Sequence, residues 1–171
     1  MAVLRPVFAS ADQQSSEQSF DRLRARIEFA LANTRESFPA LADAEFTVWR
    51  RGLGDDRFFR AFPYPGGGLL LFNPRLESLA ISESALMGAI AHACAHFAQY
   101  RETGFFGKIV IGFRYLFSDF FRRNFEKEAD RRAIDHGFRN DLKNFRLWQK
   151  SVLSEEQWQA QMKIYLRPEE M

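Results

Sequence analysis

Apolar residues first recur at intervals of three and four from Phe20, through Leu23, Ile27, Ala30 and Leu31. That spacing places them on one face of a helix, and Phe38-Pro39 predicts its end. The pattern then breaks into three short runs, Glu45–Arg50, Arg57–Phe62 and Gly68–Phe72, separated by glycine- and proline-rich turns. These read as strands. Helical spacing returns over Ala85 to Tyr100, which is rich in alanine, free of proline and preceded by Ser82 or Ser84 as candidate N-caps. Between Gly104 and Phe121 a helix would gather Phe105, Phe106, Ile109, Val110, Phe113, Leu116, Phe117, Phe120 and Phe121 in a wide apolar stripe. Lys108, Gly112, Tyr115, Asp119 and Arg122 form a narrow polar one. The expectation is that the apolar stripe packs into the core. The alternative is a peripheral membrane contact through 105–121, since the charges forbid spanning. A further helix covers Arg122 to His136 and ends at Gly137. Leu142, Phe145, Trp148, Val152, Trp158, Met162 and Tyr165 continue the helical spacing to the end of the chain.

Strands followed by helices, within 171 residues, predict a single α+β domain with a small mixed β-sheet. The polar run 10–19 predicts a flexible N-terminal arm over 1–19, leaving 20–171 as the folded domain. A hydrophobic content of 46% with 19 Phe excludes a disordered chain, and a net charge of +2 argues against a nucleic-acid partner. No run of about 20 apolar residues predicts a membrane span. The single Cys94 cannot form an internal disulfide and reads as a small core residue. One thiol and the lack of a long apolar N-terminal stretch point to a cytoplasmic protein. The run Phe8–Ala11 resembles the end of a signal peptide and leaves a secreted or periplasmic origin open.

The chemistry lies in the alanine-rich helix. His92 and His96 are four apart, which stacks both imidazoles on one helical face, where they can grip one Zn2+. Downstream, Glu126 and Asp130 are again four apart and face one way. One carboxylate can bind the metal while the other accepts the N–H of a ligand histidine and fixes its tautomer. Glu128 competes as a ligand, but two residues along a helix it points elsewhere.

The pair His-x-x-x-His and Glu-x-x-Ala-Asp, about thirty residues apart and preceded by Gly66-Gly67-Gly68-Leu69-Leu70-Leu71-Phe72, resembles the gluzincin zinc peptidases. The likeness is to the family of CAAX prenyl proteases and heat-shock membrane proteases and to their soluble relatives, the minigluzincins. It covers roughly residues 66–137. The resemblance implies a zincin-like domain with an active-site helix and a third-ligand helix. Glu126 would be the third zinc ligand, Asp130 the outer partner of a histidine, and a polypeptide the substrate of a zinc-dependent endopeptidase. It also implies substrate binding as an added strand at a sheet edge, for which Leu69, Leu70 and Leu71 are the candidates. His136 and Arg131 are further candidates for contacts to a substrate carbonyl or oxyanion.

The chain departs from that pattern at one position. The family's His-Glu-x-x-His motif has its general base immediately after the first histidine, and here that position is Ala93. Such a chain should be nearly inert. Both ligand histidines, the glutamate and the aspartate persist together, and alanine is the mildest swap in a helix. These features favour a deliberate Glu-to-Ala replacement over a natural pseudopeptidase. The rival readings are a metal-containing module that holds peptides or partners, a membrane-surface adaptor, and a repressor-cleaving metallopeptidase with a similar motif. Oligomeric state has no sequence signal.

Overall fold

The computed structural model describes residues 11–171. Six helices and one three-stranded sheet form a single α+β domain: α1 Ala11–Glu36, β1 Glu45–Arg50, β2 Phe59–Tyr64, β3 Gly67–Phe72, α2 Glu83–Glu102, α3 Phe105–Phe117, α4 Asp119–Ala133, α5 Arg139–Val152 and α6 Glu155–Met162. Helix α1 begins nine residues earlier than its apolar stripe predicts. Residues 11–19 of the expected arm belong to it, because alanine, glutamine and glutamate sustain a helix without an apolar face. Residues 1–10 lie outside the described ones.

Helix α2 is the spine. Its alanines are buried on every side, so α1, α4, α5 and the sheet all approach it closely. A helix that is apolar all round belongs in a core. Ser82 caps it, with Oγ accepting from the Ala85 N–H at 3.2 Å. At Gly88 the backbone of α5 comes so near that a Cβ would collide with the Asp141 carbonyl and the Leu142 nitrogen. Gly88→Ala should therefore destabilise the fold by about 2–3 kcal/mol despite alanine's better helix propensity, read as a fall in the urea midpoint.

The sheet is mixed, in the order β1-β3-β2. β2 and β3 form a hairpin closed by Pro65-Gly66, with Gly66 at φ +86°, the signature of a type II turn. β3 then lies parallel to β1. It is therefore central and hydrogen-bonded on both sides. This corrects the expectation that Leu69–Leu71 form a free edge. A buried apolar run marks a central strand as readily as an edge, and sequence order does not reveal that β1 and β2 flank β3. Leu70 and Leu71 are buried in the sheet's packing.

The other edge is β2. Tyr64 pairs with Gly67 across the two-residue turn, so hydrogen-bonded pairs alternate from there, consistent with the Asn73 N–H donating to the Phe58 carbonyl at 2.9 Å. Phe59, Ala61 and Pro63 consequently turn their backbone groups away from β3. Pro63 falls where its missing N–H costs no ladder bond.

Helix α3 reverses the expected packing. Its apolar face is exposed, with Phe113 64% and Leu116 and Phe117 each 73% accessible. Its polar stripe faces inward, because that side serves the candidate site. The assignment of 105–121 to the core is corrected accordingly. Among the described residues no helix is long and apolar enough to cross a membrane.

Candidate metal centre

Helices α2 and α4 bring the site together. On α4, Glu126, Ala129, Asp130 and Ala133 are buried at helical spacing, and the two alanines let the helix lie close against α2. The helices run antiparallel, so a four-residue step up one matches a four-residue step down the other. His96 meets Glu126, and His92 meets Asp130. Ser118 starts α4, its Oγ accepting from the Phe121 N–H at 3.2 Å.

Three atoms converge. His92 Nε2 and His96 Nε2 lie 3.1 Å apart, and Glu126 Oε2 lies 3.1 Å from the first and 2.9 Å from the second. A tetrahedron built on zinc bonds of about 2.0 Å has edges of about 3.3 Å, so the triangle is already near the size of one face. The outer contacts fix which ring nitrogens face inward. Gln99 donates through Nε2 to the Phe125 carbonyl at 3.3 Å, which turns its Oε1 to His96 Nδ1 at 2.9 Å. His96 therefore carries its proton on Nδ1. Asp130 Oδ1 accepts from His92 Nδ1 at 2.8 Å and from Arg146 at 2.7 Å. Asp130 Oδ2 accepts from the Leu166 N–H at 2.9 Å.

With both Nδ1 atoms donating outward, the inner triangle consists of two imidazole lone pairs and a carboxylate oxygen. Three acceptors at such distances repel unless a cation lies among them, and in its absence a proton must serve. The electrostatics agree. Burial alone would lower the pKa of His92, but Asp130 and Glu126 outweigh it and raise it to about 8. Burial alone would raise Glu126 and Asp130. The two imidazoles hold Glu126 well below the usual carboxylate range, and Arg146 with His92 lowers Asp130. Two neutral imidazoles and a carboxylate form a donor set suited to a borderline-soft divalent ion such as zinc. They fit zinc in type, number, tautomer and spacing, and the set is not unique to it.

The linkage sign follows from the raised His92. In the metal-free protein its contribution to stability is complete below about pH 6.5 and is lost as pH rises through about 8. Metal must displace that proton, so affinity moves the opposite way. Zinc affinity should rise about tenfold per pH unit up to roughly pH 8 and then level off, measured by competition with a chelating indicator across pH.

The triangle opens on a cleft of about 420 Å3, walled by β2, α3 and the segment around Tyr165. Ala93 and both histidines line it. Tyr115 reaches across from α3 and donates its hydroxyl to Glu126 Oε1. Burial and the neighbouring carboxylate push its pKa up, so it remains a donor. The Tyr165 ring lies edge-on to His92 at 5.5 Å and is covered by the Arg146 guanidinium at 4.1 Å. Arg146 is almost wholly buried and also donates to Gln149 Oε1 at 2.8 Å.

The structure thus brings together His92, His96, Glu126, Asp130 and Ala93. It does not bring in the others. Leu69, Leu70 and Leu71 lie in the central strand, outside the cleft wall. Arg131 is exposed, at 3.8 Å from Glu128. His136 is exposed beyond the site, its ring 4.2 Å from Phe38, because α4 ends at Ala133 and His136 falls in the wider turn Ile134–Phe138 that follows, where Gly137 breaks the helix at φ +95°. Glu128 pairs with Arg132. Cys94 is buried with its thiol pKa raised, as a core residue's should be. Gln99, Tyr115, Arg146 and Tyr165 were not anticipated. Only Gln99, three residues after His96 on one helical face, had a readable signal.

No protein-family model, curated protein or solved structure matches the chain.

Proposed function

We propose that this chain is the scaffold of a gluzincin-type zinc endopeptidase whose general base is replaced by Ala93. It would hold a metal and an extended peptide while hydrolysing that peptide slowly or not at all. The observation that carries the reading is the convergence of His92 Nε2, His96 Nε2 and Glu126 Oε2 at 2.9–3.1 Å, with both outer nitrogens already engaged.

Bound zinc would act as a Lewis acid toward a scissile carbonyl and a water. His92, His96 and Glu126 would hold it, while Asp130 and Gln99 keep both imidazoles in the ligating tautomer. The outward N–H and C=O groups of Phe59 and Ala61 on β2 offer an extended peptide a strand to pair with along the cleft. Tyr115, held protonated, is a hydrogen-bond donor beside the centre. The methyl group of Ala93 lines the cleft next to the ligands but can take no proton, so the proton-transfer step has no partner at that position.

Restoring the carboxylate tests the reading. Ala93→Glu, loaded with one zinc, should cleave an unfolded protein about 10²–10⁴-fold faster than the parent chain. Zinc-loaded Ala93→Glu that leaves unfolded protein and its own chain intact would remove the peptidase reading. A peptide-binding module would remain if the same protein still bound an extended peptide, a rival favoured by the alanine itself.

A further inference from the structure

Helix α3 is built inside out. Lys108, Gly112 and Tyr115 line the cleft on its inner side, and its main packing partner is α4. Its outer side presents Ile109, Val110, Phe113 and Phe117 to solvent, exposed Leu116 reaches the cleft rim, and Phe120 at the start of α4 is 70% exposed. Contiguous apolar surface of this kind marks an interaction site.

The charge around this face says what it meets. Residues 105–132 contain seven Lys and Arg against four Asp and Glu. Two of those acids, Glu126 and Asp130, are buried in the metal centre. The other two, Asp119 and Glu128, are paired with Arg122 and Arg132. Arg114 borders the apolar face, its guanidinium 4.5 Å over Phe121. Phe120, Arg123, Lys127 and Arg131 follow one another at helical spacing along α4. The exposed apolar face of α3 is therefore followed along the chain by Arg123, Lys127 and Arg131, with Glu128 the one exposed acid beside them, a local basic excess that the chain's net charge of +2 conceals.

We propose that the outer face of α3 and the start of α4 dock on an anionic lipid surface. One face of a single helix supplies no strand edge to hold a partner chain in register, and lipid needs none. Helix α3, with 13 residues, is about 20 Å long, too short for a hydrocarbon core of about 30 Å. It would lie in the interface, with its aromatic side chains inserted and the basic stripe among the headgroups. The opposite side of the same helix roofs the cleft. Docking would thus hold the candidate site within about one helix diameter, ~10 Å, of the headgroups.

Co-sedimentation of the full chain with phosphatidylcholine vesicles containing about a third phosphatidylserine tests this. Partitioning should be at least about tenfold stronger than onto pure phosphatidylcholine and should weaken with salt. Phe113→Glu with Phe117→Glu, both exposed and therefore tolerated by the fold, should abolish it while leaving the melting temperature unchanged. Arg123→Glu with Lys127→Glu should weaken it at least about tenfold on the anionic vesicles. Absence of binding to anionic vesicles at low salt would overturn the proposal. So would binding that survives Phe113→Glu/Phe117→Glu. Self-association that this double variant dissolves, without vesicle binding, would make the occupant a second copy and overturn it equally.

Discussion

Replacing Glu126 with alanine should lower zinc affinity by more than about a hundredfold. The outer partners of a metal-bound histidine are each worth about 10–100-fold in affinity, and a direct ligand contributes more than they do. Glu126 is also the only negative charge in the inner triangle, 2.9 Å and 3.1 Å from the two imidazole nitrogens. Without it, a divalent ion would have no anionic ligand of its own, and the Tyr115 hydroxyl loses its acceptor. Competition titration against a chelating indicator reads the change directly. Glu126→Gln keeps the shape and should lose nearly as much, because the charge, and not the volume, carries the effect.

Replacing Arg146 with methionine should have the largest effect on the fold. Arg146 and Asp130 are both essentially buried and meet at 2.7 Å. Removing the cation leaves that buried carboxylate with only His92 Nδ1 and the Leu166 N–H as partners, which costs about 3–5 kcal/mol. For a chain of this length that corresponds to a fall of roughly 6–20 °C in melting temperature at about 2–4 °C per kcal/mol. The His92–Asp130 hydrogen bond survives the change, so zinc affinity should fall much less than in Glu126→Ala. The contrast separates the residue that supports the site from the one proposed to bind the ion. Scanning calorimetry and zinc titration of both variants give the two readouts.

How much of this was legible beforehand follows from the range of each interaction. His92 with His96, and Glu126 with Asp130, announced themselves because a four-residue step on a helix fixes a shared face whatever the surroundings. The strands were legible to within two residues, since Pro65-Gly66 and the runs either side dictate a hairpin locally. Sheet order was not, because β1 reaches β3 across the chain and nothing in the run Gly67–Phe72 states which neighbours it will have. Helix α3 was misplaced for a different reason. Periodicity finds an apolar face but assigns it to the core only by the rule that such faces are buried, and here Tyr115 and Lys108 claim the inner side. Arg146 resembled any arginine on an amphipathic helix, and only its pairing with a buried aspartate 16 residues away gives it weight.

The proposed function depends on a divalent ion that α2 and α4 would hold between them. Crystals of the zinc-loaded protein, measured on both sides of the zinc absorption edge, would locate that ion. One anomalous peak per chain, within bonding distance of His92 Nε2, His96 Nε2 and Glu126 Oε2, is the expected result. A peak at surface carboxylates, or none after zinc loading, would contradict it.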